Sequence, residues 1–327
     1  MTQPLELALD ALYQIILPIF LVLGVGYLAG RKLLVIGAPN AAVNHGPQQQ
    51  RANESSLRTL SKLVFYVFSP ALAFTSLATS DLGTREIARI GAFALVTTLS
   101  MGLVAWVLAR MLRLAPAETG SLLLVAMFAN AGNYGLPLNE LAYGPMALDR
   151  AVIYFVCSSI LLFSLGVVVA ARAQGRTRAQ LLTRVLYAPV VHAVWLAALV
   201  RLGVLSVPAP ILKAASLVAQ GTVPLMLLIL GIQLSHVKMH GNWRLVNVAT
   251  GVRMLLAPLL AVPLATLMGL SGLAEQVAIT EASMPSAVYT IILAVEFELA
   301  LDLTSSVVLI TTLISPLTLV ALITYLR

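Results

Sequence analysis

Long apolar stretches separated by short polar or charged segments repeat along most of the chain. Ten of these stretches are near or above the ~20 residues that a helix needs to cross the hydrocarbon core of a bilayer. The pattern therefore predicts an all-α polytopic membrane protein with ten transmembrane helices. The predicted spans are residues 8–29, 60–80, 88–110, 119–143, 149–171, 185–204, 208–234, 244–268, 272–296 and 303–326.

Composition supports a membrane protein rather than a soluble one. Hydrophobic residues make up 60% of the 327 residues and charged residues only 10%, whereas a soluble domain carries about 25% charged residues. The net charge of +7 does not indicate nucleic-acid binding, because the sequence has no basic stripe with interleaved aromatic residues. Residues 36–58 are polar and predict a flexible loop without a packed core. Any function is therefore expected between the helices.

The distribution of basic residues predicts the orientation of the chain. With the N-terminus outside, 13 of the 20 Lys and Arg residues fall on the inner side and six on the outer side. The positive-inside bias therefore predicts that both termini lie outside and that the loop 36–58 lies in the cytoplasm.

Two predicted spans carry poor helix formers near their middle. The fourth span contains FANAGNYGLPL at residues 128–138, and the ninth contains TEASMPSAVYT at residues 280–290. Ten spans divide into two halves of five spans each. Because five is odd, the second half enters the membrane from the side opposite to the first half. We therefore expect two inverted repeats, residues 1–171 and 172–327, with a broken helix at the fourth position of each.

These two breaks predict a binding site. A helix broken inside a bilayer is tolerated only where it is buried in protein or lines a wet cavity, and it creates a half-helix N-terminus that attracts anions. We expect the breaks to cross with Asn130 near Pro285. The alternative is a proline kink for packing, with the asparagines as interhelical hydrogen bonds. The candidate substrate-binding residues are Asn130, Gly132, Asn133, Gly135, Pro137, Ser283, Pro285 and Ser286.

Two ionisable side chains lie well inside predicted spans. Glu281 precedes the second break and is a candidate carrier of a coupling proton, because ionisable residues inside a membrane are costly and usually functional. Alternatively, Glu281 pairs with Arg253 or faces water. Arg253 alternatively faces a vestibule and attracts anions. Gln220 and Thr222 in the seventh span are secondary candidates for the site.

Four segments resemble the auxin efflux carrier family, which contains plant auxin carriers and bacterial permeases for small organic acids. They are ANAGNYGLPL, VPLMLLILGIQLS, VRMLLAP and EASMPSAVYTIILAVEFE, in the order and spacing of that family. The resemblance covers essentially the whole chain, and residues 36–58 least. It implies a fold like that of the sodium/bile acid symporters, with crossover helices 4 and 9, and a homodimer. Plant carriers have Pro-Asn at the first crossover, where this chain has Ala129 and Asn130.

The resemblance implies a secondary active transporter of small organic anions such as carboxylates in the bacterial inner membrane. Such a transporter works by alternating access, and a proton or sodium ion is the expected coupling partner. A passive channel or a potential-driven anion uniporter is the alternative. An intramembrane enzyme is disfavoured, because the sequence lacks HExxH and no serine near His192 lies in a nucleophile turn. We expect no catalytic residues, metal site, cofactor or nucleic-acid partner.

Overall fold

The computed structural model describes residues 2–36, 59–175, 189–237, 239 and 242–327, and these ranges are almost entirely helical. Residues 37–58, which make up all but the first residue of the predicted loop, lie outside the described part of the chain. The helices of the described ranges are α1 (Leu5–Arg31), α2 (Thr59–Thr79), α3 (Thr84–Met111), α4 (Pro116–Met127), α5 (Leu136–Tyr143), α6 (Pro145–Ala173), α7 (Pro189–Arg201), α8 (Ala209–Ser235), α9 (Trp243–Leu267), α10 (Gly272–Ala282), α11 (Tyr289–Glu296) and α12 (Leu301–Leu326).

Seven helices of the described ranges are long and apolar enough to cross a membrane, namely α1, α2, α3, α6, α8, α9 and α12. They coincide with seven of the predicted spans. Helix α7 is shorter, and the predicted span 185–204 begins in residues that the structure does not describe. The predicted spans 119–143 and 272–296 each consist of two short helices with a break between them. An all-helical membrane protein is therefore confirmed, and the count of ten spans stays a prediction.

Large apolar side chains point outward from the long helices. Leu103 on α3 is 61% exposed, Leu267 at the end of α9 is 82% exposed, and Leu317 on α12 is 76% exposed. Apolar surface on this scale is unfavourable in water and favourable against lipid tails. The outer surface of the helix bundle therefore suits a bilayer.

Helices α1 and α8 approach each other closely at two glycines. A Cβ atom on Gly26 would overlap the carbonyl oxygen of Leu228, and a Cβ atom on Gly231 would overlap the carbonyl oxygen of Leu23. Without side chains at these positions the two backbones can come into direct contact, which is a common way for membrane helices to associate. Gly24, two residues before Gly26, faces open space instead.

The two broken segments lie in the interior of the bundle. Helix α10 packs against α3, α6 and α9, while α12 packs against α4 and α11. Phe128, Tyr134 and Met284, which lie in or beside the breaks, are completely buried. The long helices therefore enclose the region where both broken segments lose their helical geometry.

Candidate functional site

The breaks of the two segments meet through backbone hydrogen bonds. The Asn130 N–H donates to the Pro285 carbonyl at 2.8 Å, and the Ala287 N–H donates to the Phe128 carbonyl at 2.9 Å. Between these bonds, Ala129 and Ser286 form an antiparallel bridge. The expected meeting of Asn130 and Pro285 is therefore confirmed, and the pairing satisfies backbone groups that the breaks remove from their helices.

The local sequence explains why the helices stop here. Proline at 285 has no N–H and disfavours helical geometry in the residue before it, so α10 ends at Ala282. The first break has no proline. Instead, Phe128 is extended, and Asn130 adopts φ −78° and ψ 58° before a wide turn over Ala131–Gly135. The break at Asn130 therefore forms without the proline of the plant carriers and is held by the bridge to the other segment.

The two breaks, residues 128–137 and 281–288, cross where they pair, and Asn130 contributes an unused hydrogen-bond donor to this crossing. The residue is 5% exposed, and its side-chain Nδ2 is buried without a hydrogen-bond partner among the described residues. A buried amide without a partner costs roughly 1–3 kcal/mol. Such a group is expected where a ligand completes the hydrogen bonding. Asn130 is therefore the predicted site residue whose surroundings best fit ligand binding.

Arg253 joins the ends of both broken helices. Its Nη1 donates to the Ala126 carbonyl at 2.9 Å, near the end of α4. Its Nη2 and Nε donate to the carbonyls of Ala282 and Met284 at 2.6 and 2.8 Å, at the end of α10. These carbonyls lack helical partners, and the partial negative charge of helix C-termini favours a cation.

Two alternatives for Arg253 are therefore wrong. Its side chain is 1% exposed and does not face a vestibule. It also makes no ion pair with Glu281, because all three of its donor nitrogens are directed to backbone carbonyls. The physical reason is that two helix C-termini, and not one carboxylate, surround the guanidinium.

Glu281 interacts with the second half of the other broken segment. Its Oε1 accepts a hydrogen bond from Asn139 Nδ2 at 3.0 Å, and the same Nδ2 donates to the Gly135 carbonyl at 2.9 Å. Both side chains are fully buried. The Glu281 carboxyl lies directly against Gly135, where a Cβ atom would overlap it. Glu281 Oε2 and Asn139 Oδ1 have no hydrogen-bond partner among the described residues.

The other predicted site residues occupy different surroundings. Ser283 and Ser286 donate their hydroxyl protons to the carbonyls of Ile279 and Val125 at 2.7 and 2.8 Å, so they contribute first to packing. In the first broken segment, Gly132 packs against the Phe155 ring and Asn133 is half-buried. Pro137 occupies the first turn of α5, where its missing N–H removes no helical hydrogen bond.

The two secondary candidates lie away from the crossing contacts. Gln220 is exposed near the middle of α8. Thr222 is buried and donates to the Phe68 carbonyl at 3.2 Å, which joins α8 to α2. Neither side chain forms a hydrogen bond with residues 128–137 or 281–288 in the described part of the chain.

Sequence comparisons identify the kind of protein. The family described as membrane transport protein matches residues 47–323. The chain belongs to this family. It is also similar to an uncharacterized transporter of Methanothermobacter thermautotrophicus, with 30% identity covering 80% of this chain and 86% of the relative. An uncharacterized transporter of Methanocaldococcus jannaschii is 28% identical over 80% of this chain and 87% of that relative.

The membrane transport protein family confirms the resemblance to the auxin efflux carriers and makes the chain a transporter rather than an enzyme. The contacts between the two broken segments include one residue that was not predicted from the sequence, Asn139. A polar side chain inside an apolar span was the available signal. Asn139 also follows Gly135 by four residues, which places both on one face of the segment.

Proposed function

We propose that this transporter carries small organic anions, such as carboxylates, by secondary active transport with alternating access. The observation that supports the proposal is the backbone pairing of the two breaks beside the buried, unpartnered Nδ2 of Asn130. A carboxylate oxygen would accept the hydrogen bond that this donor lacks. The chain has no phosphate-binding loop for ATP in its sequence, so transport would draw on ion gradients or the membrane potential.

The electrostatics of the crossing favour a negatively charged substrate. The turn Ala131–Gly135 and helix α11 begin at the crossing, and the N–H groups of a first helical turn lack intrahelical partners. Arg253 adds a permanent positive charge in the interior. Its hydrogen bonds go to neutral carbonyls and not to a carboxylate in the described part of the chain. An anion would therefore meet N–H donors near a buried cation, and the acidic group that lies against Gly135, Glu281, is the group that would take up a proton.

Glu281 is the proposed proton carrier. Its Oε1 is held by Asn139, while its Oε2 has no partner among the described residues and offers a position for a proton. Because Asn139 lies on α5 and Glu281 on α10, their hydrogen bond joins the two broken segments that flank the proposed substrate position. Loss or gain of a proton there would alter the contact between the segments as the substrate binds.

We further propose that the architecture consists of two inverted repeats, residues 1–171 and 172–327, with the breaks at equivalent positions. Both termini would lie outside a bacterial inner membrane, and the protein would act as a homodimer. Two features support the repeats: each half contains one segment made of two short helices, and the two breaks pair with each other in antiparallel fashion.

Reconstitution into proteoliposomes tests the proposal. A panel of labelled mono- and dicarboxylates would be presented with and without a pH gradient, a sodium gradient and a membrane potential. We expect uptake of at least one acid, increased by the pH gradient and lost in the Asn130→Ala variant. Uptake that responds only to the potential would favour an anion uniporter. Passage of unrelated ions at high rates would favour a channel and contradict secondary transport.

A further inference from the structure

Three arginines line a cavity at the ends of three helices, and none of the residues at the crossing of the two breaks lines it. Arg110 lies in the last turn of α3, Arg113 follows that helix, and Arg172 lies in the last turn of α6. The cavity has a volume of about 680 Å³, and the N-terminal turns of α4 form its remaining wall. No carboxylate is among the described residues that line it. The nearest acidic group on α4, Glu118, accepts a hydrogen bond from the Ala115 N–H at 3.3 Å.

The rest of the lining is apolar. Leu114, Leu123 and Val169 form the floor between the helices, and Trp106 lies at the rim, 49% exposed. The Arg110 guanidinium stacks 5.8 Å from the centre of the Trp106 ring. Tryptophan at the end of a membrane helix is typical of the level of the lipid headgroups. The cavity therefore combines a positively charged mouth with an apolar floor at the membrane–water boundary.

We propose that this cavity binds the headgroup of an anionic phospholipid, with the three arginines on its phosphate groups and the apolar floor against its glycerol and upper acyl chains. Arginine donates paired hydrogen bonds that match phosphate oxygens. Basic pockets between membrane helices on the cytoplasmic side are a known form of lipid recognition. The positive-inside bias assigns this end of the bundle to the cytoplasmic side, where anionic lipids attract basic residues.

A lipid fits the surroundings better than the transported anion does. None of the residues 128–137 or 281–288 lines the cavity. The α4 residues that line the cavity run from Pro116 to Leu123, which lie roughly 18 Å and roughly 8 Å before Phe128 along the helix axis. Beside the cavity, Leu103 and Val107 on α3 are 61% and 43% exposed and face the surroundings of the bundle. The mouth therefore opens next to the lipid-facing surface.

The test uses purified full-length protein in a neutral detergent, without transport substrate, so it is independent of the proposed transport function. Binding of diphosphatidylglycerol is measured by native mass spectrometry and by the rise in melting temperature during titration. Phosphatidylethanolamine and inorganic phosphate are titrated in parallel. We expect diphosphatidylglycerol alone to bind and to stabilise the protein.

Variants identify the site. Arg110→Gln, Arg113→Gln and Arg172→Gln are each expected to weaken binding about fivefold, and the triple variant is expected to abolish it. These side chains are exposed, so the fold is expected to persist, and the single variants remain informative if the triple variant does not fold. The matched control is Arg85→Gln, an exposed arginine at the opposite end of α3, which should bind like the wild type.

Each contrary result overturns the proposal. Equal stabilisation by inorganic phosphate would indicate a site for free anions. Equal stabilisation by phosphatidylethanolamine would indicate non-specific lipid solvation. Wild-type affinity in the arginine variants, or an equal loss in Arg85→Gln, would mean that the cavity does not hold the lipid.

Discussion

Asn139 Nδ2 lies 3.0 Å from Oε1 of Glu281, and this hydrogen bond connects two fully buried side chains on different broken segments. Asn139 belongs to the half-helix after the first break, and Glu281 belongs to the half-helix before the second. Together with the backbone bridge at Ala129 and Ser286, the bond holds the two segments at two separate points. Relative movement of the segments would have to break or rearrange both contacts.

Glu281→Gln is expected to keep substrate binding but to remove its pH dependence. Glutamine retains an oxygen that can accept the Asn139 hydrogen bond, but it cannot exchange a proton in this pH range. Substrate affinity should be measured from about pH 5 to about pH 8 for both proteins, together with their melting temperatures. If the variant keeps the pH dependence of the wild type, Glu281 is not the proton carrier, and a potential-driven uniporter becomes the better interpretation.

Arg253→Gln is expected to lower the melting temperature strongly. Three buried carbonyls lose a charged donor, and the loss in the free energy of unfolding should reach about 3 kcal/mol or more. The melting temperature of Arg253→Lys should lie between those of Arg253→Gln and the wild type, since an ammonium keeps the charge but not the planar geometry of the guanidinium. Arg244→Gln, an exposed arginine in the first turn of the same helix, serves as the control. A Gln variant as stable as this control would contradict the role of Arg253 at the helix ends.

Two neighbouring glycines of α1 should respond oppositely to the same substitution. Gly26→Ala places a methyl group on the backbone of Leu228, which cannot rotate away, so a loss of about 1–3 kcal/mol is expected. Gly24→Ala enters open space and should be neutral or slightly stabilising, because alanine favours helix by up to about 1 kcal/mol. Melting curves of both variants in the same detergent provide the comparison. Equal stability of the two variants would show that α1 and α8 do not meet at Gly26.

Local residue types predicted where the helices break. Asn130, Gly132 and Gly135 are poor helix formers in an apolar span, and Pro285 cannot continue a helix, so both breaks were visible in the sequence. Their meeting was expected from the matching positions of the breaks in the two halves. The backbone pairing at 2.8 Å agrees with that expectation.

Contacts between distant helices were harder to predict. A buried arginine and a buried glutamate suggested an ion pair, yet Arg253 binds carbonyls from α4 and α10 instead. Helix C-termini in the interior act as a partner for a cation, but no residue type in the sequence marks them. Asn139 was missed for a related reason, since its importance comes from Glu281, 142 positions further along the chain.

We propose above all that Asn130 binds the substrate where the two broken segments cross. The most direct test is the affinity of purified protein for the organic acid that is taken up best in proteoliposomes. Asn130→Ala should weaken binding by about one to two decades, the equivalent of one lost hydrogen bond of ~1–3 kcal/mol, while the melting temperature stays near that of the wild type. Asn130→Asp should bind more weakly still, because its carboxylate repels the anion.

The control for this measurement is Asn247→Ala, which removes an exposed asparagine on α9 and should leave affinity unchanged. We expect a loss of affinity in the Asn130 variants alone, with intact folding. Wild-type affinity in Asn130→Ala, accompanied by a lower melting temperature, would contradict a role in substrate binding and make Asn130 a packing residue between the broken helices.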